Sequence, residues 1–225
     1  MKNNQSCIVV FSGGQDSTVC LYWALQKFES VEAVFFDYGQ RHLIERESAL
    51  KIAELKNIPL KIFNLQFFKE MGGNSLIDKE APITQKAGEL PNTFVPGRNL
   101  LFLTQAASYA YTKDIHHLVT GVCETDYSGY PDCREATIQS LAQTLSLGLD
   151  TQMTLHTPLM HLNKKETVQL GIKLKASEAL AFSHTCYEGS FPPCGACPSC
   201  LLRAKGYKQA NECDPLIERA KLTKK

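Results

Sequence analysis

The chain has 225 residues, and its 24 lysines and arginines nearly balance its 23 aspartates and glutamates, for a formal net charge of +1. This balance argues against a dedicated nucleic-acid binder, which usually carries a strong basic excess, and a hydrophobic fraction of 44% argues against wholesale disorder. The sequence has no run of about 18 apolar residues and no long apolar segment near its polar N-terminus, so we expect a cytoplasmic protein without a membrane span.

The first third of the chain alternates short apolar runs with amphipathic segments. Residues 7–11, 31–36 and 60–65 are apolar runs that predict buried strands. Apolar side chains at steps of three and four residues predict one helix after residue 17 and another over residues 44–56. Strands that alternate with helices form βαβ units, so we predict an α/β fold, an open parallel sheet with helices on both faces.

Residues 66–96 interrupt the alternation with several glycines and prolines and little periodicity. A connection of this length is unusual in a compact domain and often forms a lid or a binding loop. Asn163 and Glu166 have the spacing of a capping box and predict the start of a helix that ends near residue 174. Between these two regions the alternation resumes with a predicted helix over 99–111, a strand over 117–122, a helix over 134–147 and a strand over 153–156.

A glycine loop follows the first predicted strand and consists of Ser12, Gly13, Gly14, Gln15, Asp16 and Ser17. Open α/β sheets bind ligands at the carboxyl ends of their strands. Two glycines let the backbone approach an anion, and the helix that follows presents unpaired N–H groups to it. The loop lacks the lysine of a P-loop and the glycine spacing of a dinucleotide fold. Since Asp16 would repel a bare phosphate, we predict a polyphosphate bound together with Mg²⁺.

Four of the nine cysteines lie within fifteen residues near the C-terminus: Cys186, Cys194, Cys197 and Cys200. Thiolates at this spacing can surround Zn²⁺ as a tetrahedron, and four of them leave no open position for water. We therefore predict structural zinc in a helical C-terminal region, residues 181–225, after a polyphosphate-binding α/β domain at residues 1–180. An iron–sulfur cluster and a set of unconnected thiols are the alternatives. We interpret the other five cysteines as buried filler.

Three further polar segments lie where the carboxyl edge of a parallel sheet would bring them to the glycine loop. Arg98 could bind a phosphate or a carboxylate through two N–H groups. Tyr127 or Tyr130 could stack on a planar base, and Asp126 or Asp132 could accept hydrogen bonds from its N–H edge. Each also has an ordinary interpretation.

The ordinary interpretations are structural. Arg98 would form a surface ion pair, the two aspartates would stabilise turns, and His42 would cap a helix. Lys164 and Lys165 are interpreted only as a solvated helix start.

The glycine loop resembles the pyrophosphate-binding loop of the ATP pyrophosphatase superfamily, whose fold is of the adenine nucleotide alpha hydrolase type. Five segments in order resemble the family of 7-cyano-7-deazaguanine synthases over nearly the whole chain. They are residues 11–17, 36–42, 95–99 and 126–132 and the four-cysteine segment. The loop alone is specific only to the superfamily, whereas the five segments together are highly specific.

This resemblance implies that the chain converts 7-carboxy-7-deazaguanine and ammonia to 7-cyano-7-deazaguanine for queuosine biosynthesis, and that it forms a homodimer that does not bind tRNA directly. ATP would activate first the acid and then the amide by adenylylation. Asp16 and Arg98 are the expected catalytic residues. The implied ATP site comprises Phe11, Ser12, Gly13, Gly14, Gln15, Asp16, Ser17, Thr18, Val19, Cys20 and Leu21. The implied substrate contacts are Gln40, Arg41, His42, Arg98, Asn99, Asp126, Tyr127 and Asp132.

Two other functions share parts of this pattern. A tRNA thiolase would use the same ATP loop, but it must hold RNA and carry sulfur on a reactive cysteine. A nucleotide-binding module stabilised by zinc would need neither Asp16 nor the convergent polar loops.

Overall fold

The computed structural model describes residues 3–40, 42–71, 75–76, 90–125 and 129–223. Five strands form one parallel sheet in the order β3-β2-β1-β4-β5. Their bounds are β1 Asn3–Val10, β2 Phe28–Asp37, β3 Leu60–Asn64, β4 His117–Val119 and β5 Thr154–His156. The predicted parallel α/β sheet is confirmed.

Helices cover both faces of the sheet. The helices are α1 Gln15–Lys27, α2 Ile44–Lys56, α3 Phe68–Met71, α4 Arg98–Tyr111, α5 Glu135–Gly148, α6 Lys164–Lys173, α7 Ser177–Leu180, α8 Pro198–Ala210 and α9 Pro215–Leu222. Side chains alternate across β1, so that Cys7 and Val9 pack with α1, α2 and α7, whereas Ile8 packs with α4 and α5. Burial on both sides explains why the strands lack polar alternation.

The bounds of several elements differ from the prediction. β2 begins three residues before the predicted apolar run, at Phe28, directly after α1 ends at Lys27. β1 begins at Asn3, because residues before the apolar run still pair with β2. β4 ends at Val119, three residues before the predicted end at residue 122. Beyond the strand the chain packs closely on the start of α1, since a Cβ on Gly121 would lie 3.2 Å from the Asp16 carbonyl carbon.

The predicted capping box is confirmed at the start of α6. The Asn163 side chain accepts a hydrogen bond from the Glu166 amide, and the Glu166 carboxylate accepts one from the Asn163 amide. These two bonds satisfy N–H groups that have no partner inside the helix. They fix the position of Lys164, the first residue of α6.

The C-terminal region packs closely on the α/β core. The Arg203 side chain of α8 is 4% exposed and donates two hydrogen bonds to the Asp214 carboxylate, at 2.6 and 2.8 Å. It donates two more to the Ser183 hydroxyl and the Leu180 carbonyl. α8 also contacts α6, because a Cβ on Gly206 would lie 2.6 Å from the Lys164 side chain. The division at residue 180 remains a prediction. None of the described helices is long and apolar enough to cross a membrane.

Candidate active site and cysteine cluster

The glycine loop joins β1 to α1 at the point where the strand order reverses, with β2 on one side of β1 and β4 on the other. This crevice is where open α/β sheets bind ligands. Gly13 has a φ of +78°, and a Cβ there would lie 2.6 Å from the Ala49 amide nitrogen and 2.8 Å from the Glu45 carbonyl oxygen. Only glycine avoids both the left-handed strain and the collision. The loop therefore touches the first turns of α2.

Hydroxyl groups fix the shape of the loop. The Ser12 and Ser17 oxygens lie 3.2 Å apart, and the Gly14 amide donates to the Ser12 oxygen at 3.3 Å. The Thr18 hydroxyl donates to the Gly14 carbonyl at 2.7 Å. Gly14 is the N-cap of α1, so the amino end of this helix opens at the loop. A helix N-terminus and nearby hydroxyls favour an anion.

Asp16 forms an ion pair that the sequence interpretation missed. The Lys164 ammonium lies 3.0 and 2.9 Å from the two carboxylate oxygens, and its side chain is only 13% exposed. The expectation that Lys164 is solvated was therefore wrong, while Lys165 is exposed as expected. A lysine in the first turn of a helix opposes the helix dipole. That unfavourable placement is the sequence signal that could have found it.

A cavity of about 290 Å³ lies beside the loop, at the carboxyl ends of β1, β2 and β4. Its walls include the aromatic rings of Phe36, Tyr38, Phe102 and Tyr130. Phe36 and Phe102 stack with ring centroids 4.5 Å apart. Arg98 also reaches the cavity, so a flat aromatic anion would meet both ring surfaces and a cation there.

Arg98 begins α4 and packs over Tyr38. Its guanidinium lies 5.6 Å from the ring centroid and donates to the Tyr38 hydroxyl at 3.4 Å. Burial opposes the charge of Arg98, but interactions with Tyr38, Tyr130 and Asp132 outweigh burial and raise its pKa. Burial raises the pKa of the Tyr38 phenol to about 12, so it stays neutral. Arg98 is thus a permanent cation in the cavity, in place of the surface ion pair considered above.

The predicted substrate contacts Asn99 and Asp132 have different positions. Asn99 lines the cavity, and its side chain donates to Cys133 at 3.2 Å. Asp132 is buried, and its carboxylate accepts a hydrogen bond from the backbone N–H of Asn99 at 3.0 Å. It therefore supports the start of α4 from outside the cavity wall, and its direct contact with substrate stays a prediction.

The remaining predicted substrate contacts are only partly placed. Gln40 lines the cavity and accepts a hydrogen bond from the Tyr38 amide. His42 lies against the backbone of Gly189 and outside the cavity wall. Arg41, Asp126 and Tyr127 lie outside the described residues, as do most residues of the predicted lid over 66–96.

The predicted ATP contacts divide along the chain. Six of them line the cavity: Phe11, Ser12, Gly14, Gln15, Asp16 and Ser17. Thr18, Val19, Cys20 and Leu21 are buried inside α1, away from the cavity wall. Val19, Cys20 and Leu21 belong to the core between α1 and the sheet, so their contact with ATP stays a prediction.

The four predicted cysteine ligands come together. The sulfur atoms of Cys186, Cys194, Cys197 and Cys200 all lie within 4.8 Å of one another. Cys194 and Cys200 are 3.9 Å apart, close to the roughly 3.8 Å expected for two sulfurs bound to one tetrahedral Zn²⁺ at about 2.3 Å. The hydrogen bond from Cys200 lowers the pKa of the Cys197 thiol to about 5, so a thiolate forms there readily. The donor set fits a zinc ion.

Residues around the cysteine cluster also form part of the cavity wall. His184, Thr185, Tyr187 and Ser199 line the cavity together with the glycine loop. The His184 amide donates to the Gly13 carbonyl at 2.9 Å. Burial lowers the pKa of the His184 imidazole to about 4. None of these residues was predicted as functional, because no local motif marks a wall supplied by a distant segment.

Comparison with known proteins gives consistent matches. Residues 6–211 match the family described as queuosine biosynthesis protein QueC. A 7-cyano-7-deazaguanine synthase of Chromobacterium violaceum is 56% identical over 224 residues, covering 96% of this chain and 95% of its own. A protein of the same name from Laribacter hongkongensis is 52% identical over 222 residues, covering 97% of each chain.

A solved structure supports the fold. The crystal structure of a 4-thiouridine synthetase–RNA complex with bound ATP has a TM-score of 0.53 and 19% sequence identity. The match covers 96% of this chain and 53% of that one. At this identity the likeness concerns the fold alone, and it agrees with the predicted adenine nucleotide alpha hydrolase type.

Proposed function

The chain belongs to the QueC family of queuosine biosynthesis proteins, and we propose how its cavity carries out the ATP-dependent synthesis of 7-cyano-7-deazaguanine. The substrates in this proposal are 7-carboxy-7-deazaguanine, ammonia and two molecules of ATP. The observation that carries the proposal is the convergence of the glycine loop and Arg98 on one aromatic-walled cavity at the reversal of strand order.

In this proposal the phosphates of ATP occupy the glycine loop. The hydroxyls of Ser12 and Ser17 and the amino end of α1 would hold the β- and γ-phosphates. Asp16 would be the protein ligand for Mg²⁺, since its carboxylate oxygens keep free lone pairs beside Lys164. Bound Mg²⁺ would neutralise charge that builds on the departing pyrophosphate.

The deazaguanine base would lie between the aromatic walls, with its carboxylate on Arg98. Arg98 stays charged at every physiological pH, so it can hold a carboxylate firmly and orient one oxygen toward the α-phosphorus of ATP. Attack by that oxygen releases pyrophosphate and gives the acyl-adenylate. Ammonia then displaces AMP to give the amide. A second ATP adenylylates the amide oxygen, and loss of AMP leaves the nitrile.

We further propose that the cysteine cluster holds one structural Zn²⁺ and that the enzyme is a cytoplasmic homodimer. The distances between the sulfur atoms support zinc. The homodimer is supported by the family resemblance alone, and light scattering after size-exclusion chromatography would test it: a mass of 25.0 kDa, that of one chain, would contradict it.

A tRNA thiolase is the alternative function. Its support is a structural neighbour at 19% identity, which concerns the fold only, whereas relatives at 52–56% identity are named as synthases. The net charge of +1 also gives little attraction for RNA.

One assay tests the proposed function. The zinc-loaded protein is incubated with ATP, Mg²⁺, an ammonium salt and the deazaguanine acid, and AMP and the nitrile are followed by mass spectrometry. We expect two AMP for each nitrile formed. Absence of nitrile would refute the proposal, and AMP formation only after addition of tRNA would favour the thiolase.

A further inference from the structure

The cavity wall contains a carboxylate that neither the motifs nor the family match points to. Glu45 lies in the first turn of α2 and lines the cavity. In the described part of the chain, no group donates a hydrogen bond to this carboxylate and no cation lies within ion-pair distance of it. Arg98 and Tyr38 face it through longer electrostatic interactions. An acceptor left open in a cavity wall is available to a ligand.

Asp16, the other described carboxylate that lines the cavity, already forms an ion pair. Both oxygens of Asp16 accept hydrogen bonds from Lys164. Each oxygen of Asp16 therefore already has a hydrogen-bond partner within the protein. Of the two carboxylates, Glu45 is the one whose oxygens have no hydrogen-bond donor among the described residues, so it is the one open to a ligand.

Several other titratable groups of the described wall either carry their protons at neutral pH or already use their polar atoms in hydrogen bonds. The His184 Nε2 donates to the Cys186 carbonyl at 3.2 Å, and burial lowers the pKa of this imidazole. Tyr38 and Tyr130 carry their protons at neutral pH, since burial raises the pKa of both phenols. The Cys123 thiol already donates to the Leu162 carbonyl at 3.2 Å.

The fold fixes Glu45 relative to both substrates. Its backbone carbonyl lies against Gly13 of the glycine loop, so the first turn of α2 cannot move away without moving the phosphate site. Its side chain faces Arg98, which holds the carboxylate in the proposed function. The reacting carbon would thus lie between the phosphates and Glu45.

We propose that the Glu45 carboxylate accepts the proton that the nitrogen atom loses when the amide forms and again when the amide becomes a nitrile. This role rests on the proposed function, and it deepens that function by assigning the acid–base chemistry of the same cavity. Glu45 is then a catalytic residue, since it would contact the reacting nitrogen.

The balance of the first step needs one acceptor. The ammonia nitrogen forms a bond to the acyl carbon, the bond from that carbon to the AMP oxygen breaks, and AMP leaves with the electron pair. The new nitrogen carries one proton too many for a neutral amide, and that proton passes to Glu45. Exchange with water restores the carboxylate before the second ATP reacts.

The second step releases two protons. The amide oxygen attacks the α-phosphorus, the bond to pyrophosphate breaks, and the carbon–nitrogen bond gains double-bond character. One N–H proton passes to Glu45. The other passes to the AMP phosphate as the carbon–oxygen bond breaks and the triple bond forms. Both steps need an acceptor beside the nitrogen, in a site that limits water.

The ionisation of Glu45 suits such a proton acceptor. Burial raises the pKa of its carboxyl to about 7, although Arg98 opposes the rise. A proton acceptor works best when its pKa is near the working pH. The charged and titratable groups that face it are Arg98 from α4 and Tyr38 after β2, and neither changes charge near neutral pH.

The variant Glu45→Gln tests the role by separating adenylylation from the nitrogen steps. We expect acid-dependent pyrophosphate release from the first ATP to stay within about threefold of wild type, and nitrile formation from either acid or amide to fall by roughly 100-fold or more. Glu47→Gln is the matched control, because Glu47 lies in the same helical turn but is exposed. It should behave as wild type.

Three results would overturn the inference. Nitrile formation by Glu45→Gln at the wild-type rate would remove the proton-accepting role. Equal loss of pyrophosphate release, with a raised KM for the acid, would show that Glu45 binds the base. A wild-type enzyme that makes no nitrile would instead refute the proposed function, on which this inference depends.

A second readout covers the case in which Glu45→Gln does not fold. Glu45→Asp keeps a carboxylate one methylene shorter, so kcat should fall while the acidic limb of its pH profile near pH 7 persists. Glu45→Ala should show no such limb. Loss of the limb in Glu45→Asp, or its presence in Glu45→Ala, would contradict the assignment.

Discussion

Lys164 offsets the negative charge that Asp16 brings to the glycine loop, where we propose that ATP binds. Its ammonium contacts both oxygens of Asp16, and without it the carboxylate would repel the phosphates. We expect Lys164→Gln to raise the Kd for ATP by about tenfold, which corresponds to roughly 1.4 kcal/mol. Lys165→Gln, at an exposed neighbouring position, is the control. Isothermal titration with ATP in the two variants measures the difference, and equal affinities would show that the ion pair does not affect ATP binding.

Gly13 is required by the packing of α2 as well as by its backbone conformation. Gly13→Ala would bring a methyl group within 2.8 Å of two backbone atoms at a φ of +78°. Gly97→Ala has a similar φ of +71° but nothing within 4 Å, so it should cost only the left-handed strain of about 1–2 kcal/mol. We expect Gly13→Ala to lower the free energy of unfolding by more than Gly97→Ala, measured by urea denaturation. If both variants lost the same free energy of unfolding, α2 would have to move away from the added methyl group at no cost.

The sequence predicted some of the residues that line the cavity and missed others. Arg98 and the loop serines lie in motifs, and the cavity brings them together. Glu45 and His184 were missed because each is ordinary in its own segment and reaches the cavity only through packing. Sequence periodicity describes one element at a time, whereas a wall assembled from several elements depends on their contacts.

The cysteine segment should hold the C-terminal elements against the cavity. Cys197 is the N-cap of α8 and lies in the cluster, and Ser199 in the first turn of the same helix lines the cavity. A metal bound there would stabilise the fold by fixing its ligands. We therefore expect one zinc ion per chain by elemental analysis, and a lower Tm with weaker ATP binding after chelation or in Cys197→Ser.

The matched control is Cys213→Ser, since Cys213 lies outside the cluster and is exposed, so its interpretation as buried filler was wrong. It should keep the zinc content and the Tm of wild type. A chelated protein with unchanged Tm and far-UV circular dichroism would contradict a structural metal.

Elements were easier to predict than their contacts. The bounds of α2 agree with the sequence pattern over 44–56, because its buried residues recur at helical steps. β4 was predicted too long, since an apolar run does not reveal where Gly121 must meet α1. The four-cysteine spacing predicted the cluster, but nothing in it indicated that the same segment would line the cavity beside the glycine loop.

For the whole molecule, Glu45 should make stability depend on pH. Its folded pKa of about 7 lies above the ordinary value of 4.5, so the folded state binds a proton more tightly than the unfolded state. Its stabilising contribution is therefore complete below about pH 4.5 and is lost as the pH rises through 7. Between pH 5 and 8 wild type should lose stability relative to Glu45→Gln, on the order of 2–3 kcal/mol.

Denaturation curves of wild type and Glu45→Gln at pH 5 and at pH 8 measure this effect. All other titratable groups are the same in the two proteins, so their contributions cancel in the difference. A difference in unfolding free energy that stays constant from pH 5 to pH 8 would mean that Glu45 is not destabilised by burial. A difference of the opposite sign would mean that Arg98 dominates its ionisation.

The part of the cavity wall near the cysteine cluster also affects when the cavity can form during synthesis of the chain. His184, Thr185, Tyr187 and Ser199 complete a cavity whose glycine loop is synthesised well before them. Some 170 residues separate Gly13 from His184, whose backbone N–H donates a hydrogen bond to the Gly13 carbonyl. The nascent chain can form the central strands before it can form this contact, so the cavity is complete only after the cysteine segment has been synthesised.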